Sequence, residues 1–444
     1  KLTLVTATQK IELDGLNLTW RSRALRERRL DVAGLAAERL TLTELAPAPD
    51  EPLIRPGSLR LPFGVRVEQL ALAELVVVKR GEPLRFSGIK ARLDGVGDDW
   101  VLSGVEITTP WGALAGRAQL GKDLPNALAG RVEFSRELAL PGVAEADRLA
   151  ATLDLAGDLD RPRFDARAAA YGLTLLLSGE AAPFARVKLP HLVLAGSGVD
   201  PRRFAPTAPE AKIAFAGAFQ SDAANRLIGV FSLDNAVPGR LDAGRIPLVA
   251  VTAGLAGDAD AARASNLVVD LGAAGKLAGD ADWKAGRFAL QLIADGLNLA
   301  ALDRRLHRSA LRLGVQARGD LQAQEIELAL GDVWGAGWLA LAHNADAIEL
   351  KASRFEGAAG RLVASGRYQP ANTAFDARFE FAGVDPSRLG DFPRARLNLA
   401  GTARGQLSPA PALETPLTLA PGALEGRAIS TQGRLRCAGR RAVD

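Results

Sequence analysis

This sequence of 444 residues has no methionine, one cysteine, two tyrosines and three histidines. Each scarcity excludes something. A lone cysteine, Cys437, cannot form an intrachain disulfide, so the fold must be held by packing and strand pairing. That suits a cytosolic and a periplasmic protein equally. His191, His307 and His343 stand far apart in unrelated contexts. None shows the spacing of a metal-binding pair, and each reads as a surface or strand-edge residue. The segments Gly157-Asp-Leu-Asp160 and Gly257-Asp-Ala-Asp260 lack the ligand spacing and closing glutamate of a calcium loop, so turns are expected there. Ser178-Gly and Gly196-Ser-Gly198 lack the context of a nucleophile elbow. Gly112-x-x-x-Gly116 and Gly275-x-x-x-Gly279 are not followed by the Lys-Ser/Thr of a phosphate loop. No catalytic residue, metal site or cofactor is expected.

Long apolar runs are also missing. Nothing approaches the roughly 18–20 apolar residues that span a bilayer as a helix. The longest uncharged apolar stretch, Ile246 to Gly257, contains Pro247 and Gly254 and reads as a strand plus a turn. Nor is there a block of like charge. Lys and Arg number 55 against 51 Asp and Glu, a net charge of +4. Arg alternates with Asp and Glu, so nucleic acid is not an expected partner. The chain opens at Lys1 and stops inside the strand-like Arg434-Leu-Arg-Cys437. It is expected to be a piece of a longer protein, with any export signal or membrane anchor upstream of Lys1.

What is present is alternation. Val65-Arg-Val67, Leu70-Ala-Leu72, Phe288-Ala-Leu290-Gln-Leu292, Ile326-Glu-Leu328-Ala-Leu330 and Phe375-Asp-Ala-Arg-Phe379-Glu-Phe381 each repeat with period two. This is the pattern of a strand wetted on one face and buried on the other. Breaks rich in Gly or Asp recur about every 8–12 residues, which predicts an all-β antiparallel meander with a few short helices. Asp94-Gly95, Gly97-Asp98, Asp295-Gly296 and Gly331-Asp332 read as turns that need positive φ. Ala24–Leu40 has some helical periodicity, but Leu30-Asp-Val32 and Leu40-Thr-Leu42 favour two strands. Residues 1–45 read as an N-terminal β segment, 46–62 as a Pro-rich connection, and 63–444 as a repetitive β body continuing beyond the last residue.

Within that body one unit recurs. Val199-Asp-Pro-Arg-Arg-Phe precedes Ile213-Ala-Phe215-Ala-Gly217. Val384-Asp-Pro-Ser-Arg-Leu precedes Leu397-Asn-Leu399-Ala-Gly401. A looser copy joins Leu299-Ala-Ala-Leu302 to Leu311-Arg-Leu313-Gly314. Each reads as a capped short turn or helix feeding a strand that ends in glycine. A second cassette sets an aromatic before a glycine turn, in Trp111-Gly112, Trp334-Gly335 and Phe355-Glu-Gly357. Repeats of this size usually stack into an extended surface. The apolar positions of the alternating strands, Val65, Val67, Leu70, Leu72, Leu290, Leu292, Leu311, Leu313, Leu328, Leu330, Leu397 and Leu399, form the candidate lining. Periodicity alone is satisfied by a closed core or by an open groove, and of the two an ordinary core is the plainer reading.

The order of features from Ile11 to Phe134 resembles the TamB family, within the AsmA-like superfamily. The matching stretches are Leu13-Asp-Gly-Leu-Asn-Leu-Thr-Trp20, Leu30-Asp-Val-Ala-Gly-Leu35 with Leu40-Thr-Leu42, Leu59-Arg-Leu-Pro-Phe63-Gly-Val65-Arg-Val67-Glu-Gln-Leu70-Ala-Leu72, and Ile107-Thr-Thr-Pro-Trp-Gly112. The Asp-Pro-x-Arg cassettes are similar to repeats of the wider superfamily. The resemblance implies a long sheet curled into a U-shaped, β-taco-like groove with an apolar floor. It implies a periplasmic protein anchored in the inner membrane of a Gram-negative bacterium. Its partners would be phospholipids and an outer-membrane TamA-type barrel protein. Under it the open groove becomes the better reading, and phospholipid transport between the membranes the expected function. Assembly of outer-membrane β-barrels is the alternative. A β-solenoid adhesin is a third class, disfavoured by the Ala, Leu and Arg content.

Overall fold

The computed structural model describes residues 1–6, 8–45, 53–79, 82–139, 146–203, 205, 208–332, 335–388, 391–407 and 412–438. Phe204, Trp334, Leu389 and the first half of the Pro-rich connection lie outside them, as does the side chain of Cys437. The protein is all-β, with 68% of its residues in strands and 5% in helix, and the sheet is open rather than closed into a barrel. The chain divides into two compact units, one comprising Lys1–Pro206 with Ala214–Ile228, the other Thr207–Ile213 with Gly229–Asp444.

In the first unit, strands from Gly64–Lys79 to His191–Val199 each pair antiparallel with the next along the chain. One pair departs from the meander. Arg29–Glu44 runs parallel to Gly64–Lys79, with Leu30 beside Val65 and Leu42 beside Val77. Parallel neighbours cannot be joined by a hairpin and need a crossover of about a dozen residues or more. The Pro-rich connection supplies it. Its described half is stitched to three turns of the sheet. Arg55 pairs with Asp160 at 2.7 Å, and Arg60 pairs with Asp98 at 2.9 Å and with Asp123. The Leu59 N–H donates to the Lys122 carbonyl at 2.7 Å, while the Trp100 indole N–H donates to the Leu59 carbonyl at 3.1 Å. Ala24–Leu40, read as two strands, is instead a 3-10 turn, Ser22–Glu27, and part of the single long strand Arg29–Glu44.

In the second unit, the strands from Ala250–Gly257 to Arg427–Ala438 form an unbroken antiparallel meander. The recurrent turn-plus-strand unit is present. Leu299–Leu302 is one turn of α-helix before Leu311–Gly319, and Pro386–Arg388 is a 3-10 turn before Ala395–Gln406. In the first unit Pro201–Arg203 is likewise a 3-10 turn. Hairpins at the opposite ends of the strands are closed by side-chain oxygens. Asp258 Oδ1 accepts from the N–H groups of Asp260 and Ala261, at 2.9 and 3.0 Å, and Asp320 Oδ1 does the same for Gln322 and Ala323, both at 2.8 Å. Short Asp side chains satisfy the turn backbone in this way, and Asp158 does likewise.

A third repeat lies inside the strands. Leu102-Ser-Gly-Val105, Ala264-Ser-Asn-Leu267, Ala294-Asp-Gly-Leu297 and Phe381-Ala-Gly-Val384 each advance three residues while the facing strand advances two. These are β-bulges, and their third residue adopts positive φ: Gly104 58°, Asn266 52°, Gly296 80°, Gly383 63°. Gly88, at φ 62°, lies within a similar three-for-two step, Ser87-Gly-Ile-Lys90. A three-residue step at a bulge returns the next apolar side chain to the face it would otherwise leave. Asp295–Gly296 is therefore not a turn but the bulge of the strand Arg287–Leu297. Asp94–Gly95 and Gly331–Asp332 are likewise the last residues of strands; Gly97–Asp98 lies in the connection between two strands, and Gly95, Gly97 and Gly331 do not adopt the positive φ expected of them.

Candidate apolar groove

Reading across the ladders shows what the alternation builds. In the first unit one rung runs Val67, Leu93, Leu102, Ala118, Gly130, Leu155, Phe164, Gly179, Leu192, each residue directly opposite the next. Another rung of the same face runs Ile107, Leu114, Phe134, Ala151, Ala168, Leu175, Gly196. In the second unit the rungs Ala281, Leu290, Ala317, Ile326, Leu341, Leu350, Gly366, Ala377, Ala403 and Ala294, Leu313, Leu330, Gly337, Phe355, Leu362, Phe381, Leu399, Leu419 hold no polar side chain. The opposite face carries the charge. Its corresponding rung is Asp282, Ala289, Arg318, Glu325, Ala342, Glu349, Arg367, Asp376, Arg404, Glu414, where opposite charges repeatedly meet. Arg404 lies 2.7 Å from Asp376, and Glu325 lies 2.8 Å from both Arg318 and Lys351. Those two cations draw the Glu325 carboxyl down to about 2, the Lys351 hydrogen bond contributing most.

The degree of burial separates a groove from a core. The inner face of a closed sandwich would be buried. Here its side chains are almost all half-buried, while outward neighbours are exposed. Only sixteen apolar residues are buried among the described residues, and nine of these are alanine. The largest buried cluster is Leu277, Leu292, Ala294 and Leu297, with Leu267, Val269, Leu290, Leu311, Leu313 and Val315 packed around it. All come from four adjacent strands, so the cluster is one sheet folding over its own side chains. Fully burying such a side chain contributes about 1.5–3 kcal/mol. A floor left half-exposed retains part of that as affinity for an apolar ligand.

Small residues permit the inward curl. Rings lie over glycines on this face: Phe164 over Gly179, Phe375 over Gly405, and Phe215 over Gly196. A methyl group at Gly179 would sit 2.6 Å from both the Phe164 ring and the His191 carbonyl. The aromatics, scarce overall, thus cover the gaps that glycine leaves, as they do at glycines in designed sheets.

The predicted lining residues fall into two sets. Val67, Leu70 and Leu72 face Leu93, Ala91 and Ile89, and Val65 faces Gly95, all in the first unit. Leu290, Leu292, Leu313, Leu328 and Leu330 occupy adjoining rungs of the second unit. Leu311 faces Leu297, Leu397 faces Val384 and Leu399 faces Phe381. Sequence reasoning omitted Leu102, Phe134, Phe164, Leu339 and Phe355, which share these rungs: glycine or alanine takes inward positions in the strands of Phe134, Phe164 and Leu339, and a bulge breaks the period in those of Leu102 and Phe355.

Most of the remaining polar groups have structural partners; among the described residues the buried atoms Arg29 Nε, Asn126 Oδ1, Asn298 Oδ1 and Thr415 Oγ1 do not. His343 Nδ1 lies 2.6 Å from Gln324 Oε1, its cross-strand neighbour. Among the described residues there is no cluster of three or more His, Cys, Asp or Glu placed to hold a metal, and no helix long and apolar enough to cross a membrane. One buried cation escaped sequence reasoning. Lys122, 5% exposed, donates to the carbonyls of Gly95 and Gly97 and sits 4.7 Å above the Trp100 ring. It locks the turns against which the crossover lies. Comparison with family models, curated proteins and solved structures returns no match to this chain.

Proposed function

We propose that the chain is a non-enzymatic cell-envelope protein whose apolar groove carries phospholipid between the inner and outer membranes, in the manner of TamB. The observation that carries this reading is the unbroken apolar rungs, half-buried and uncovered on one face of an open sheet. An acyl chain gains about 0.8 kcal/mol for each methylene that leaves water. Rungs of similar Leu, Val, Ala and Phe residues offer many sites of comparable depth, so a chain can move along them without a trap. Headgroups stay at the strand ends, where turns and charged side chains meet water. The TamB-like passages between Leu13 and Gly112 add to this reading. With them come a periplasmic location, an inner-membrane anchor and a TamA-type outer-membrane partner. Native mass spectrometry of the purified chain, with extraction of bound lipid, tests the proposal. Several phospholipids per chain are expected. A lipid-free protein that also fails to take up phospholipid from vesicles overturns it.

A further inference from the structure

Between Arg287 and Gln406 the outer face of the second unit is polar along most rungs, and one rung departs from this. Ile293, on Arg287–Leu297, points outward and is 62% exposed; Trp338, on Gly335–His343, points outward and is 48% exposed. They belong to one rung, in which Ile293 pairs with Gly314, Gly314 with Ala329, and Ala329 with Trp338. Two large apolar walls therefore flank a floor of glycine and alanine. A methyl group at Gly314 would touch only the Ala329 Cβ, at 3.7 Å, so the floor lies open. The depression continues along Leu311–Gly319 in both directions. At one end stands the Asp295–Arg312 pair, 3.0 Å apart. At the other, four carboxylates face Arg263 and Arg318.

Dimensions and charge select the occupant. The walls are three strand spacings apart, about 14 Å. A helix with its side chains is about 10–12 Å across and fills that width; a single extended strand leaves one wall in water. At the acidic end, Arg318 and Lys351 both turn to Glu325 at 2.8 Å. Asp282 meets Arg263 at 3.9 Å and Glu327 meets Arg318 at 4.0 Å, while among the described residues Asp280 pairs with no cation and accepts the Asn266 N–H at 3.3 Å. This surplus of negative charge repels an anionic bilayer and attracts a basic segment. We infer that the outer groove docks an amphipathic helix of a partner protein, apolar over Gly314 and basic over Asp280 and Glu327. The site faces away from the apolar floor, so it stands or falls independently of lipid carriage.

The test uses the whole chain and two probes, by fluorescence anisotropy: a labelled 18-residue Leu/Lys model helix and its Leu/Glu counterpart. The Leu/Lys helix should bind at least tenfold more tightly than the Leu/Glu helix. Gly314→Leu fills the floor at a position with room for a side chain, and should weaken binding at least tenfold with an unchanged circular dichroism spectrum. Trp338→Ser, at an exposed wall, should do the same and serves if Gly314→Leu folds poorly. Glu327→Lys should narrow the preference for the basic helix. Equal binding to wild type and both groove variants overturns the proposal, as does equal affinity for the two helices. Binding kept by both groove variants and lost in Leu399→Asp, on the opposite face, assigns it to the lipid face instead. A concentration-dependent dimer abolished by Gly314→Leu reassigns the groove to self-association.

Discussion

The Trp100 indole lies over Gly95, so close that a methyl group at residue 95 would overlap the ring. Val65 sits on the other side of Gly95 in the ladder. The same ring receives Lys122 on its face and anchors the crossover through Leu59. One glycine thus lets an aromatic join the groove floor, a buried cation and the crossover between two parallel strands.

This contact predicts a coupled pair. Gly95→Ala should destabilise the protein by about 1–3 kcal/mol, because overpacking displaces a ring that three neighbours hold. In a Trp100→Leu background the same substitution should cost much less. Denaturant melts of the four proteins in the cycle give the coupling. Additive costs would show that the ring yields freely and that the stacking matters little.

How much of this was legible in the sequence depends on the range of the interaction. Alternation around Val65–Leu72 and Leu290–Leu292 identifies strands because period two is local. The bulges were hidden because Asp295-Gly296 satisfies the same demand for positive φ in a turn or in a bulge. What distinguishes them is that Ala294 and Leu297 face Leu313 and Leu311, and pairing partners are not written in the dipeptide. The parallel pairing of Leu30 with Val65 is equally invisible, since both strands alternate whichever way they run. Lys122 reads as a surface residue; its burial needs the carbonyls of a turn some 25 residues upstream. The openness of the groove was illegible for a related reason. Period two gives a wet face and a dry face, and the half-exposure of the dry one is a property of the curled sheet.

Acid should loosen the outer face of the second unit in a defined window. Glu325 has its carboxyl lowered to about 2 from an ordinary 4.5, first by Lys351 and then by Arg318. A depressed carboxylate contributes stability that is present above its unfolded value and lost as pH falls through the folded one. The contribution is therefore intact above about pH 4.5 and should vanish toward pH 2. Glu325→Gln should flatten this part of the stability-versus-pH curve, and 1 M salt should shrink it, because the pairs are exposed to solvent. A curve unchanged by Glu325→Gln would show that other carboxylates govern the transition.

Lipid uptake should depend on which face receives a charge. Leu399 points inward opposite Phe381, and its neighbour Ala400 points outward and is exposed. Leu399→Asp, Leu292→Asp and Leu328→Asp should each reduce bound phospholipid several-fold, since an unpaired carboxylate on the floor must stay hydrated. Ala400→Asp should leave lipid content unchanged. Leu292 is 8% exposed, so its variant also loses stability, and Leu399→Asp is the cleaner comparison. Equal lipid content in Leu399→Asp and Ala400→Asp would remove the apolar face from the binding site.

The bulges offer a test of backbone conformation free of side-chain crowding. Nothing lies within 4 Å of a methyl group placed at Gly296, so a substitution there meets only the cost of φ 80°. Gly296→Ala should destabilise by about 1–2 kcal/mol, the penalty an ordinary L-residue carries in the left-handed region. Gly296→Asn should cost distinctly less, because asparagine enters that region more readily and Asn266 already occupies the matching bulge at φ 52°. A larger effect would follow if the bulge shifted. Losing the three-residue step would turn Leu297 outward, away from Leu311, and would expose one of the four buried members of the largest apolar cluster. Thermal melts and hydrogen exchange at Leu297 and Leu311 separate the two cases. A simple backbone penalty lowers the midpoint and leaves protection in place, whereas a slipped register removes protection from both strands.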